Sequence, residues 1–313
     1  MKFSTLFTPL EPISFPKHIH FSDQILSLGS CFAQEIGNEL KAHQQQVCVN
    51  PAGVLFNPIS VLNLIRRSFQ DFKFETNRVV QKGDLYYHYD YHSDVFGETK
   101  MELKDKIWDC HQTIKKAIEN SAWLFLTWGT SMIYEFENQP VANCHKQAPS
   151  NFNQVVLQTS MLTKAFEDCY NIVKKNRPKL NILLTTSPVR HSKDGLITNN
   201  RSKATLQLLN QELCSRFDDV FYFPSYEILM DVLRDYRFYK SDLIHPNQQA
   251  IAVVWKYFSE SLLAKDDDEK YRLGFKLHQM NQHNLQHPKT KESLKFIEKR
   301  KALELKLKAL KLV

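Results

Sequence analysis

The chain has 313 residues, 42% apolar and 12% aromatic, enough to bury one large core or two modest ones, which excludes disorder, collagen and coiled coil as global classes. Its net charge of +7 invites a nucleic-acid reading, yet residues 1–264 carry 28 basic and 27 acidic side chains, whereas residues 265–313 carry 13 and 7. A nearly neutral body argues against a phosphate-binding surface along the chain and leaves the partner of the basic tail open.

The first strong element is Gln24–Leu28, a short apolar run ended by Gly29 that reads as a buried strand. Residues 31–46 follow with Phe32, Ile36 and Leu40 at four-residue spacing, one apolar helical stripe, so that Ser30 stands at a strand-to-helix turn. Residues 47–58 contain two Asn-Pro pairs and Gly53 and read as an irregular loop. Residues 72–103 alternate polar and aromatic side chains, the pattern of a hairpin-like insertion. Further buried strands are expected at 122–128, 181–186 and 220–223, and helices at about 105–120, 154–176, 199–217, 226–235 and 247–263. Strands apolar on both faces and joined by helix-length connections indicate an α/β domain with a mostly parallel sheet and helices on either side. The expected organisation is one domain over residues 1–264 and a basic, helical extension over 265–313. Residues 1–15 lack the apolar stretch of a secretory leader and no run of eighteen apolar residues occurs, so a cytoplasmic protein without a membrane span is expected. The six cysteines form no C-x-x-C pair and suggest neither zinc ribbon nor disulfide framework; no metal or other cofactor is expected.

A hydroxyl at the carboxyl end of a strand sits where open α/β sheets bind ligands, and the following helix offers free N–H groups to a developing negative charge. Ser is also a favoured N-cap, the plain structural role for Ser30. Asp242-Leu243-Ile244-His245 adds an acid three residues before an imidazole, a spacing that lets the carboxylate reach Nδ1 and leaves Nε2 to accept a hydroxyl proton. Early Ser with late Asp and His is one of the chain orders of a Ser-His-Asp site. Cys31, at the same helix start, is the rival nucleophile for an acyltransferase. Arg190, His191 and Lys203 suit a carboxylate-, phosphate- or sugar-bearing substrate, while Arg234, Asp235 and Arg237 read as ion pairs holding the loop before Asp242. His88, Asp90 and His92 could face a metal from one strand, but an exposed aromatic hairpin is the simpler account.

Gly29-Ser30-Cys31-Phe32-Ala33 resembles the signature of the GSCFA family, and its pairing with Asp242-x-x-His245-Pro246 resembles the wider SGNH, or GDSL-type, hydrolase superfamily. The likeness continues through 50–58, 126–130, 143–146, 187–191, 200–204 and 233–245. It implies a flavodoxin-like three-layer α/β/α fold and cleavage of an ester or O-acyl group on a small molecule or glycan. Ser30 would be the nucleophile, His245 the base, Asp242 its orienting acid, and Gly53 an oxyanion donor. The superfamily places an Asn shortly after a third-block Gly, whereas this chain has Gly129-Thr130-Ser131; Thr130, or Asn143 from the next loop, would have to replace it. Loss of that donor without replacement would leave a non-catalytic carbohydrate- or peptide-binding module.

Overall fold

The computed structural model describes residues 8, 10 and 13–311; most of the segment read for a leader lies outside them. In chain order the elements are β1 (Gln24–Gly29), α1 (Cys31–Ala42), β2 (Gln46–Val49), α2 (Pro58–Ser68), β3 (Val79–Lys82), β4 (Leu85–His88), α3 (Lys100–Asn120) and β5 (Trp123–Trp128). Then come β6 (Met132–Phe136), β7 (Gln139–Val141), β8 (Asn153–Val156), α4 (Thr159–Asn176), β9 (Asn181–Thr186), α5 (Leu196–Arg216) and β10 (Val220–Tyr222). The short α6 (Ser225–Glu227), α7 (Gln248–Leu262), α8 (Asp268–Gln282) and α9 (Lys291–Lys311) complete the order.

Five strands form the central sheet in the order β2-β1-β5-β9-β10, every pairing parallel. Counted within the sheet this is 2-1-3-4-5, the flavodoxin-like doubly wound order. The apolar runs read as buried strands because alternate side chains enter opposite cores. Leu26, Leu28, Leu124, Leu126, Ile182 and Leu184 pack against α2, α3, α4 and α5. Ile25, Trp123, Phe125 and Leu183 pack against α1, α7 and α8 on the other face. The three-layer α/β/α fold implied by the resemblance is therefore the observed one.

Three expectations need correction. The loop read over 47–58 begins with β2, a half-exposed edge strand that includes Cys48 and Val49; its burial is too slight to leave an apolar run. Residues 132–156 carry a second, antiparallel sheet in the order β7-β6-β8, so the helix expected from 154 starts at Thr159. The helix expected over 226–235 is one helical turn followed by a π-helix, Ile228–Leu233, which ends where Arg234 turns left-handed at φ 37°. The hairpin does form within 72–103, as β3 and β4 turning at Gly83.

The packed body also runs past residue 264. Tyr271 and Leu277 of α8 are buried, and the Tyr271 hydroxyl donates to Gln45 Oε1 at 2.9 Å. Asp267 Oδ2 accepts from Phe21 N at 2.9 Å. The acidic run 266–269 lies at the start of α8, where the helix dipole favours negative charge. In α9, Leu307 is buried and Lys306 pairs with Glu269 at 2.9 Å. Burying a Tyr or Leu side chain contributes about 1.5–3 kcal/mol, so a chain ending at residue 264 should lose at least about 3 kcal/mol of unfolding free energy in urea. An unchanged midpoint would show the tail to be an appendage.

Candidate active site

Within the sheet the connections run outward from β1 in one direction and from β5 in the other, so a crevice opens between their carboxyl ends. Ser30 and Gly129 stand there. Gly29 leaves β1 at φ +135°, and a Cβ on it would lie 2.2 Å from Thr127 O, so only glycine allows this close approach of the two strands. Ser30 then caps α1: its N–H donates to Thr127 O (3.0 Å) and its Oγ accepts from Phe32 N (3.3 Å). The residue is 1% exposed.

The second half of the site is a turn. Leu243 adopts a left-handed φ of 57°, uncommon for a branched side chain, and so folds Asp242 back on the residues after it. Asp242 Oδ1 accepts from Ile244 N (2.8 Å) and His245 N (2.9 Å), while Oδ2 lies 2.8 Å from His245 Nδ1. A carboxylate only accepts, so Nδ1 carries the proton, and the tautomer this bond selects leaves Nε2 as the acceptor nitrogen. The N–H groups of His245 and Ile244, then the imidazole, hold the Asp242 carboxyl down at about 2, so it is ionised throughout the neutral range. The turn is anchored on α1 by Lys240 Nζ–Glu35 Oε1 (3.4 Å) and beyond β9 by Arg190 Nη1 donating to Leu243 O (3.4 Å). Asp235 and Arg237 pair at 3.1 Å on its approach, whereas Arg234, expected to join them, is in no ion pair among the described residues. Ser30 and His245 thus lie on adjoining elements, but no hydrogen bond joins them: Ser30 Oγ is bonded to Phe32 N and His245 to Asp242.

Lys203 is not a substrate-facing cation. It is 2% exposed, and Nζ donates to Gly129 O and Ser187 O, both at 2.6 Å, clamping the carboxyl ends of β5 and β9. Sequence cannot distinguish a buried Lys from a solvated one. Burial pushes its pKa from the ordinary 10.5 to about 7, opposed by Cys31. His191 lies against Gly129, where an added Cβ would be 3.1 Å from Nε2, and burial, then Lys203, then His245, bring it to about 4. Burial likewise pushes the Cys31 thiol up, more than the N–H groups of Cys31 and Phe32 pull it down. Arg190 does face a groove, of about 370 Å³, with Tyr226, Asp231, Tyr236 and Tyr239; its guanidinium lies 4.8 Å over the Tyr239 ring.

The expected oxyanion donors are engaged elsewhere. Gly53 N donates to Asn50 O (2.8 Å), and Gly129 N and Thr130 N both donate to Phe56 O (2.7 and 3.1 Å). Thr130 Oγ1 is 2.9 Å from Ser202 Oγ. Asn143 Nδ2 donates to Ser93 Oγ and Oδ1 accepts from His145 N, fixing its own loop. His88, Asp90 and His92 do not converge: the Asp90 carboxylate is held by Arg67 and Arg78, and His92 covers Gly53. A residue passed over in the Asn-Pro loop stands nearer. Asn50, left-handed at φ 43°, accepts from Gly29 N on Oδ1 (2.9 Å), and its Nδ2 is one of four buried side-chain polar atoms among the described residues without a partner.

A doubly wound α/β protein with Ser30 at its switch point and an Asp242–His245 pair on a turn tied to the same helix is the class these features define. The GSCFA family model matches residues 24–258, and the chain belongs to the GSCFA family. A search of curated proteins gives no match. Among the described residues no helix is long and apolar enough to cross a membrane.

Lys203 makes a prediction of its own. Replacing it with Met leaves two buried carbonyls without donors, at about 1–3 kcal/mol each, so Lys203→Met should lose about 2–6 kcal/mol at pH 7 by chemical denaturation. In the wild type the unfolded chain holds the Lys203 proton up to about 10.5 and the folded one only to about 7. The unfolded state binds more protons in that window, so this residue makes stability rise with pH across it. Lys203→Met should lose that component of the rise.

Proposed function

We propose that the chain is a serine hydrolase of the SGNH type, cleaving an ester or O-acyl group of a small molecule or glycan through an acyl-enzyme on Ser30. The observation that carries this reading is the Asp242–His245 pair, which orients Nε2 as a base on a turn tied to the helix that Ser30 caps. As the Ser30 hydroxyl attacks the acyl carbon, its proton passes to His245 Nε2, and Asp242 stabilises the imidazolium through Nδ1. The leaving oxygen takes that proton. Water, deprotonated by His245, then attacks the acyl carbon and releases the acid, returning the proton to Ser30. Hydrogen bonds of this kind tighten on substrate binding, so the separate bonding of Ser30 and His245 in the free protein is compatible with the mechanism.

Cys31 is the weaker nucleophile on physical grounds, because its half-buried thiol is held away from the thiolate form by desolvation. The second reading, a non-catalytic carbohydrate- or peptide-binding module, is favoured by one observation: Gly53, Gly129 and Thr130 direct their N–H groups at the fold's own carbonyls. A fluorophosphonate probe separates the two. The intact protein should gain one phosphonyl group by mass, Cys31→Ala should react as well, and Ser30→Ala should not react. An inert wild-type protein that still binds a glycan through Arg190 would establish the binding module instead.

A further inference from the structure

We propose that Asn50 Nδ2 is the donor that receives the substrate oxyanion, taking the place left open by the missing third-block asparagine. The inference rests on Ser30 as nucleophile. Three observations carry it. First, the amide has a defined orientation: Gly29 N can only donate, so the oxygen of Asn50 must face it and Nδ2 must point away. Second, Nδ2 is buried and unpartnered, and a buried donor without an acceptor is a standing cost that native folds rarely retain without a use. Third, the residue it grips is Gly29, the immediate neighbour of Ser30, so the amide lies beside the nucleophile's own backbone. Its surroundings hold it there: Asn50 N donates to Ser27 O (2.9 Å) and Asn50 O accepts from Gly53 N (2.8 Å). A donor fixed in advance, without a ground-state partner, is satisfied only when negative charge develops on the acyl oxygen, and that differential is what accelerates the step.

The other unpartnered atoms fit less well. Trp128 Nε1 belongs to a ring packed in the core under α2–α5, and Asn210 Oδ1 is an acceptor. Ser131 Oγ lies two residues beyond Gly129, on a residue whose N–H donates to Ser202 Oγ of α5.

The test measures the rate at which a fluorophosphonate labels Ser30 in the full-length protein and in two variants. Asn50→Asp keeps an oxygen for Gly29 N and replaces the N–H donor with an acceptor. Asn50→Gly accepts the left-handed backbone and removes the whole amide. In whichever variant keeps the wild-type circular dichroism, labelling should slow by roughly 10²–10³. A rate within about threefold of wild type would overturn the assignment while leaving the hydrolase reading standing, since such donors are worth far more. A wild-type protein that is never labelled at Ser30 removes both. A readout independent of any variant is the Asn50 side-chain amide proton of the wild type, which should move downfield when Ser30 is phosphonylated; an unmoved resonance counts against the role.

Discussion

The approach of β1 to β5 at Gly29 is the constraint on which the site depends. A side chain there would overlap Thr127 O, and the φ of +135° is closed to other residues. The same residue donates to Asn50 Oδ1 and accepts from Leu55 N, so one glycine ties the end of β1 to β5 and to the loop after β2. Ser30 is delivered to the start of α1 as a consequence. Across the crevice, Lys203 repeats the device between β5 and β9 by holding Gly129 O and Ser187 O. The mouth of the sheet is thereby fixed from both sides.

Charge is arranged accordingly. Buried Lys203 and half-buried His191 are driven toward their neutral forms by desolvation, and Cys31 is kept from ionising. A neutral Lys amine retains two N–H groups, enough for its two carbonyls, so the clamp survives deprotonation. Asp242, held firmly ionised, sits on the open turn beside His245. The excess positive charge of the chain lies on the last 49 residues, in α8 and α9, whose apolar side chains help to cover the α1–α7 face.

Much of this was legible in sequence, and the exceptions have a common cause. Strands buried on both faces, such as Trp123–Trp128, announce themselves as apolar runs. Gln46–Val49 and the three strands between Met132 and Val156 lie at edges or in a small outer sheet, so their composition stays mixed. The acid-to-imidazole spacing of Asp242 and His245 is short enough to be read directly, because a single turn sets their geometry. Burial is not readable for an isolated polar residue: Lys203 looked like a substrate cation and proved to be a brace. Asn50 looked like turn punctuation, and its role depends on Gly29, twenty-one positions earlier, which only the parallel pairing of β1 and β2 brings beside it.

The most direct test of the central claim is a crystal structure of the full-length protein after reaction with a fluorophosphonate. The account predicts phosphorus bonded to Ser30 Oγ, with His245 Nε2 and Asn50 Nδ2 each about 3 Å from oxygen atoms of the adduct. An adduct on Cys31 or any other side chain, or one on Ser30 with the Asp242–His245 turn facing away, would contradict it.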